Sequence, residues 1–535
     1  MFHISNNSGF QWHTLGNDYF KGYFYHKDDF YEGLDAILFL RDTLNINDAR
    51  QVILTQLNGM FAFKIDTDNY SIVCTDKIRT FPIFYCKVDG KYVFRDELLA
   101  SDISITIDDL ARSEFLASSY TFNDRTLLTD WRQLMPGQTA VLDKNDNQLS
   151  IDYYWRHTHH RNNHDTVKIK HELSNISIRV FQRLIQSSKG KQLAIPLSGG
   201  YDSRYIVTML KMLGAKNVIC YTYGRSDSFE VKIAQQVAQK IGYDCAFVEY
   251  TPEKWRMAAE SASFHKYISE HHYFSAVPHI QDFIALKHLK DNDLIEKDAI
   301  IVPGFCGDLI GGSYLPASYI NSDGEEASYP DITDYIIQKH LINITSPDKE
   351  FQRELIKNDV RLFLSHLMPV GSNSEEFIEA NEIWFTEHKV SKFVVNAVRL
   401  FEYFEYEYRL PLWDDELVNY WYSINNTLRI DNKLYNAFLF EYLFNKQEVG
   451  FLKPTPKSRG KLGKKISKIV PPLLLNTMLK IYYKIDNTIN PKDINNFGYL
   501  EQYLSKESSI NHGSYATVNG YLAHYILHNL IGGKK

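Results

Sequence analysis

Residues 192–204 read Gln-Leu-Ala-Ile-Pro-Leu-Ser-Gly-Gly-Tyr-Asp-Ser-Arg, and this stretch limits what the chain can become more than any other. A short apolar run, Leu193 to Leu197, stops abruptly at Ser198, Gly199 and Gly200. After Asp202 and Ser203, the apolar residues Ile206, Met209, Leu210 and Leu213 recur at helical spacing. The pattern predicts a strand, a tight glycine turn and a helix. Such a turn aims several backbone N–H groups at one spot beside the positive end of a helix, which suits a phosphate or pyrophosphate. Glycine lets the backbone approach the anion, Ser198 and Ser203 add hydroxyl donors, and Asp202 is of the type that holds Mg²⁺. The Walker spacing G-x-x-x-x-G-K-[ST] is not present at this turn.

The surrounding pattern predicts an α/β protein of two domains. Residues 1–155 carry short strand signals separated by turns. Asp66–Asn69 lies between Met60–Ile65 and Tyr70–Cys74, and Asp89-Gly90 lies between Ile83–Val88 and Tyr92–Phe94; both read as hairpins. Thr139–Leu142 and Leu149–Tyr153 read as further strands, with helices near Asp35–Thr43 and Ala111–Ala117. Residues 155–166 are polar and unpatterned and mark the boundary. Their His157, His159, His160 and His164 have no carboxylate or cysteine companion in a fixed element, so a solvated linker is expected there rather than a metal site. From residue 166 onward strands alternate with helices: Val167–Gln186, the glycine turn, Val218–Tyr223 ending in Gly224, a helix capped by Gly242, Ala246–Tyr250, and Ala299–Val302 ending in Pro303-Gly304. That alternation predicts a doubly wound parallel sheet with ligands at the carboxyl ends of its strands. Residues 166–535 form the second domain, with added helices over 330–450.

Composition narrows the class. A net charge of −6 argues against a general nucleic-acid binder. Five scattered cysteines without a C-x-x-C pair suggest neither a zinc site nor a disulfide framework. No leader pattern and no long apolar run is visible, so a cytoplasmic enzyme is expected. The stretch 453–485 is basic and then apolar, a combination that would suit a membrane surface. Pro471-Pro472 interrupts it, and packing against the body of the protein is expected instead.

The motif Ser-Gly-Gly-x-Asp-Ser resembles the pyrophosphate loop of the ATP pyrophosphatase group. Further segments extend the likeness in order. Leu57-Asn58-Gly59-Met60-Phe61-Ala62-Phe63 resembles the L-x-G-M-F-A-F segment of glutamine-dependent asparagine synthetases, and Asp76–Tyr85 resembles the segment that follows it. Tyr154-Trp155 resembles the pair that closes that domain. Glu407-Tyr408-Arg409-Leu410-Pro411-Leu412-Trp413-Asp414 matches E-x-R-x-P-x-L-D except at Trp413, and Lys433-Leu434-Tyr435 falls where the family has K-x-L-R.

The resemblance implies an amidotransferase-like (Ntn-type) sandwich domain followed by a doubly wound ATP pyrophosphatase domain. It implies ATP and Mg²⁺ as cofactors, and adenylation of a small-molecule carboxylate followed by attack of an amine or ammonia. In that scheme Ser198, Gly199, Gly200, Asp202 and Ser203 hold pyrophosphate. Asp202 and Asp308 hold Mg²⁺, while Leu197, Tyr223, Gly224 and Gly304 cradle the nucleotide. Lys433 stabilises the charge that develops at phosphorus, and Glu407 and Arg409 are either catalytic or an internal ion pair.

Two departures stand out. The family's glutaminase nucleophile is a cysteine at position 2, and here that position is Phe2, which has no nucleophilic group. The family's S-G-E-G-x-D-E becomes Pro303-Gly304-Phe305-Cys306-Gly307-Asp308-Leu309, so the glutamate that serves the incoming amine is Phe305. The expected activity is therefore an AMP-forming amide ligase without its own glutaminase, supplied by free ammonia, a separate glutaminase or a substrate amine. Surface-polysaccharide or secondary-metabolite biosynthesis would be suitable settings. Ammonia-dependent asparagine synthesis and a non-catalytic nucleotide-binding regulator are the alternatives.

Overall fold

The structure is a computed structural model, which describes residues 1–5, 8–45, 50–156, 158, 165–316, 332–343, 350–368, 374–452 and 493–532. The four linker histidines and the basic-then-apolar stretch 453–485 lie outside the described residues.

The N-terminal strands are β1 (Phe2–His3), β2 (Trp12–Leu15), β3 (Asp18–His26), β4 (Asp29–Glu32), β5 (Leu57–Asp66), β6 (Tyr70–Thr75), β7 (Phe84–Val88), β8 (Lys91–Arg95), β9 (Arg132–Gln133), β10 (Gln138–Asp143) and β11 (Leu149–Tyr153). They form one sheet of order β11-β10-β6-β5-β3-β2, with β4 also on β3, and a second of order β1-β8-β7-β9. Both expected hairpins are present, β5–β6 and β7–β8. The period of two decides which side chains go where. Met60 and Ala62 share a core with Phe84 and Phe94, whereas Phe61 and Phe63 face helix α1 (Gly33–Leu44) through Ala36, Ile37 and Leu40. Strand β3 gave no alternating signal because its residues are buried on both faces.

The second domain opens with α4 (Thr166–Ser188; the intervening helices α2, Arg50–Gln56, and α3, Asp109–Ser118, belong to the first). The Asp165 side chain caps α4 by accepting from Val167 N and Lys168 N. Strands β12 (Leu193–Pro196), β13 (Val218–Gly224), β14 (Asp244–Glu249), β15 (Ile300–Ile301) and β16 (Glu407–Tyr408) form a sheet of order β14-β13-β12-β15-β16, every pair parallel. The chain leaves β12 in one direction to build β13 and β14, and returns on the other side with β15 and β16. The crevice between β12 and β15 is thus the topological switch point, where such sheets bind ligands. The glycine turn follows β12, and Pro303-Gly304 follows β15, so both open into that crevice.

The domains are bolted together by the Glu407–Asp415 segment. Asn58 donates to Asp414 Oδ2 at 3.1 Å and accepts from Asp415 N at 3.0 Å. Lys77 pairs with Asp415, and within the second domain Arg183 of α4 holds both oxygens of Asp414 in place at 2.9 and 2.7 Å. The Arg409 guanidinium lies 4.6 Å from the Tyr23 ring centroid and 5.3 Å from that of Phe10. A second contact is made by the wide helical turn Phe385–Val394, whose Glu387 accepts from Tyr153 Oη at 2.8 Å and from Arg156 Nη2 at 3.1 Å.

A buried pair fastens the added helices to one another and to the short helix Gly307–Gly311 that follows β15. Glu382 and Arg429 are joined through both guanidinium nitrogens at 2.6 and 3.1 Å, and Arg429 also donates to Ile310 O. Truncation in Glu382→Ala leaves the guanidinium charged and buried. A loss of about 3–5 kcal/mol is expected, measured as a lower denaturant midpoint; an unchanged midpoint would contradict this account of the pair.

Candidate active site

The glycine turn closes on itself before any ligand is considered. Ser198 N donates to Ser203 Oγ at 3.1 Å, and Gly200 N donates to Ser198 Oγ at 3.1 Å. Helix α5 (Tyr201–Met212) starts directly after Gly200, without a side-chain cap. Its positive end therefore faces the crevice.

Close backbone contact brings the neighbouring turns against it. A Cβ at Gly304 would stand 2.8 Å from Ser203 N and 3.0 Å from Asp202 Cβ. A Cβ at Gly307 would meet the Tyr435 hydroxyl at 2.5 Å and Asp202 Cγ at 2.6 Å. Only glycine allows that approach. Asp202 ties the pieces together: its Oδ2 accepts from Asp308 N at 3.1 Å, and its Oδ1 accepts from the Tyr435 hydroxyl at 2.8 Å. Burial, and after it the charge of Asp202, pushes the Tyr435 phenol far above its ordinary range, so this group is a protonated donor.

The cleft has a volume of about 410 Å³, and Ser198, Gly200, Asp202, Ser203, Tyr223, Gly304 and Asp308 all line it. Asp308 is exposed at its rim, and the Ser313 hydroxyl donates to Asp308 Oδ2 at 3.4 Å. Leu197 lines an adjoining recess. Gly199 stands behind the turn, where a Cβ would come within 3.0 Å of Glu230 Cα. Tyr223 is fixed by its hydroxyl, which donates to Asp282, and by its ring, stacked on Tyr250 at 5.1 Å. Phe305 also lines the cleft, its ring parallel to Phe401 at 6.5 Å.

Three expected site residues fall elsewhere. Lys433 is exposed and is not part of the cleft wall, which is lined instead by Asn432, Tyr435 and Asn436 from the same turn of chain. Glu407 and Arg409 belong to the opposite end of the sheet. Glu407 is paired in register with Ile300, at the start of β15, and Arg409 donates to Ser187 O near the end of α4. Arg409 binds Glu407 Oε2 at 3.1 Å, so of the two expected roles the ion pair is the one seen. Their matched motif serves the domain junction because β16 is the edge strand and the side chains of Glu407 and Arg409 turn to Lys191 and Ser187 rather than into the crevice. Tyr435, Asn432 and Asp282 escaped the sequence reading. Tyr435 stood two residues from Lys433 on one helix, and that proximity was the available signal; Asp282 belongs to no motif.

The cleft offers hard oxygen donors. Among the described residues no three His, Cys, Asp or Glu side chains gather as a metal cluster. Asp202 and Asp308 nonetheless fit Mg²⁺, which commonly takes one or two carboxylates and completes its shell with phosphate oxygens and water.

This fold and cleft define a protein suited to hold an anionic ligand at the switch point of a parallel sheet. Residues 185–443 match the asparagine synthase family model, and residues 46–155 match that of a glutamine amidotransferase domain. The chain thus carries an asparagine synthase domain, which makes it a ligase that forms C–N bonds using ATP. No curated protein matches it. Solved structures similar to parts of it include a glutamine phosphoribosylpyrophosphate amidotransferase from B. subtilis complexed with ADP and GMP (12% identity, 45% of this chain and 72% of that one, TM-score 0.19). Another is an allosteric regulatory enzyme of purine biosynthesis (10%, 46% and 73%, TM-score 0.18). A third is a predicted subunit of tRNA methyltransferase from Methanocaldococcus jannaschii (18%, 35% and 91%, TM-score 0.14). These scores are too low to define a shared fold.

The Gly304→Ala substitution tests the packing of the turn. Its methyl would push on the Ser203 amide and displace the anion-binding backbone. ATP affinity is expected to fall at least about tenfold with the circular dichroism spectrum unchanged; wild-type affinity would show that the close approach is dispensable.

Proposed function

We propose that this chain adenylates a small-molecule carboxylate in the switch-point cleft and passes the acyl group to an amine or ammonia that its own N-terminal domain does not generate. The observation that carries the reading is the Asp202 junction, which joins the glycine turn, Asp308 and Tyr435 at one end of the sheet. In this reading residues 166–535 are the ligase unit, and residues 1–155 are a degenerate amidotransferase-like unit.

Each residue's part follows from its place. The backbone of Ser198–Ser203 and the positive end of α5 hold the leaving pyrophosphate. Asp202 and Asp308 hold Mg²⁺, which supplies charge neutralisation for the phosphates. Tyr435 keeps Asp202 oriented toward the cleft. Tyr223, Gly224, Leu197 and Gly304 form the nucleotide's surroundings. The amine side is built differently. At Phe305 the cleft presents an aromatic ring, which carries no proton to give or take.

The absence of glutaminase activity is supported by the state of the cysteines. Cys74 and Cys86, in the amidotransferase-like region, are both buried. Burial raises the Cys74 thiol well above its ordinary value and pushes Cys86 up to about 11, the reverse of what a nucleophilic thiolate needs. Phe2 is packed edge-on against Trp12 at 5.7 Å.

The test supplies ATP, Mg²⁺ and a panel of carboxylates with ammonium or simple amines, and measures pyrophosphate and AMP. Carboxylate-dependent pyrophosphate release is expected, with no glutamate formed from glutamine. ATP binding without carboxylate-dependent pyrophosphate from any pairing would overturn the proposal. The exposed position of Lys433 favours the second reading, a nucleotide-binding regulator. Turnover separates them, because a ligase releases pyrophosphate in a carboxylate-dependent way whereas a regulator binds ATP and releases none.

A further inference from the structure

A short segment near the C-terminus, Asp493–Gly498, lies against the end of β13. Its backbone is pinned from several directions. The Asp493 carboxylate accepts from Phe497 N and Gly498 N, both at 2.9 Å. Arg225 N donates to Ile494 O at 2.8 Å, and Trp255 Nε1 donates to Asn495 O at 2.6 Å. The Asn496 side chain donates to Tyr250 O at 2.7 Å. Gly224 makes room for the segment: it has φ +123°, and a Cβ there would come within 3.0 Å of Ile494 O and 3.4 Å of Asn495 Oδ1.

One side chain in this clamp is unexplained by it. Asn495 is only 6% exposed, yet its side-chain amide hydrogen-bonds to none of the described residues. It lines the recess beside Leu197, Thr222 and Tyr223. That recess shares Ser198 and Glu230 with the main cleft but does not include Asp308. Buried amides in native proteins are almost always paired. An unpaired amide held rigidly at the wall of a cavity is therefore a binding group awaiting its partner.

We propose that Asn495 reads the adenine of ATP. With the phosphates on the Ser198–Ser203 turn, the base extends into the recess that begins at Ser198 and away from Asp308. The amide is of the right kind for the N6/N7 edge of adenine, donating to N7 and accepting from the N6 amine. Guanine presents two acceptors, O6 and N7, on the same edge, so one of the two bonds is lost. Leu197 and Tyr223 supply the apolar wall. A segment far from the glycine turn in sequence thereby sets the base specificity of the ligase. The inference rests on the proposed use of this cleft for ATP.

The experiment measures dissociation constants for Mg-ATP and Mg-GTP by titration calorimetry on the full chain and on Asn495→Ala. The substitution keeps the backbone carbonyl that Trp255 uses, so an unchanged denaturation midpoint is expected. ATP affinity should fall by at least about tenfold, GTP affinity should fall less because guanine has only one of the two bonds to lose, and the preference for ATP should shrink. Asn495→Asp, nearly equal in size, loses the N–H donor to N7, so ATP affinity should again fall, while its oxygens still accept from N6 and oppose the two acceptors of guanine, so ATP should stay preferred; it decides the matter if the alanine variant fails to fold. Variants that keep the wild-type ATP affinity and ATP-to-GTP ratio within about twofold would overturn this inference alone. A wild-type protein that binds no ATP would overturn the ligase reading together with it.

Discussion

The Asp202 carboxylate is the constraint on which the cleft depends. It stands in the first turn of α5, accepts one bond from the backbone after β15 and another from Tyr435, and so fixes three remote segments to one point. Neither bond would form unless Gly304 and Gly307 let those segments come flush against the glycine turn. The anion-binding surface is therefore a packing result as much as a loop sequence. Its donors point into the crevice because two strand ends are locked side by side at the place where the sheet reverses its order.

Close contact likewise ties the amidotransferase-like domain to the ligase domain. Asp414, Asp415 and Arg409 of the ligase domain all engage it, through Asn58, Lys77 and the rings of Tyr23 and Phe10. Glu387 does so from the helical layer. Removing the first domain would uncover these buried and half-buried charges. Structural dependence of this kind needs no glutamine chemistry, and it accounts for the segment that looked catalytic from its motif alone.

Much of this arrangement was legible in the residues. The glycine turn, the helix after it and the alternation of strands and helices followed from hydrophobic period and turn chemistry, and the parallel sheet followed from that alternation. Strand β3 was not legible because it is buried on both faces, and β16 was not because two residues carry no period. The cleft was legible where its residues lie in a motif, as with Ser198, Asp202 and Asp308. It was not legible for Tyr435, Asp282 or Asn495, which reach it from elements unrelated in sequence.

What the sequence determined by itself is local: where the backbone must turn tightly, which helix begins there, and which oxygen and N–H groups that turn can offer an anion. Those properties depend on residues within a few positions of each other. The tertiary structure alone decided who shares the crevice. It moved Lys433 out of the cleft wall, placed Tyr435 on Asp202, and put Glu407 and Arg409 at the far end of the sheet. The reason is that strand order and crossover direction set which remote segments meet, and a side chain's role is fixed by the end of the sheet at which its strand or helix delivers it.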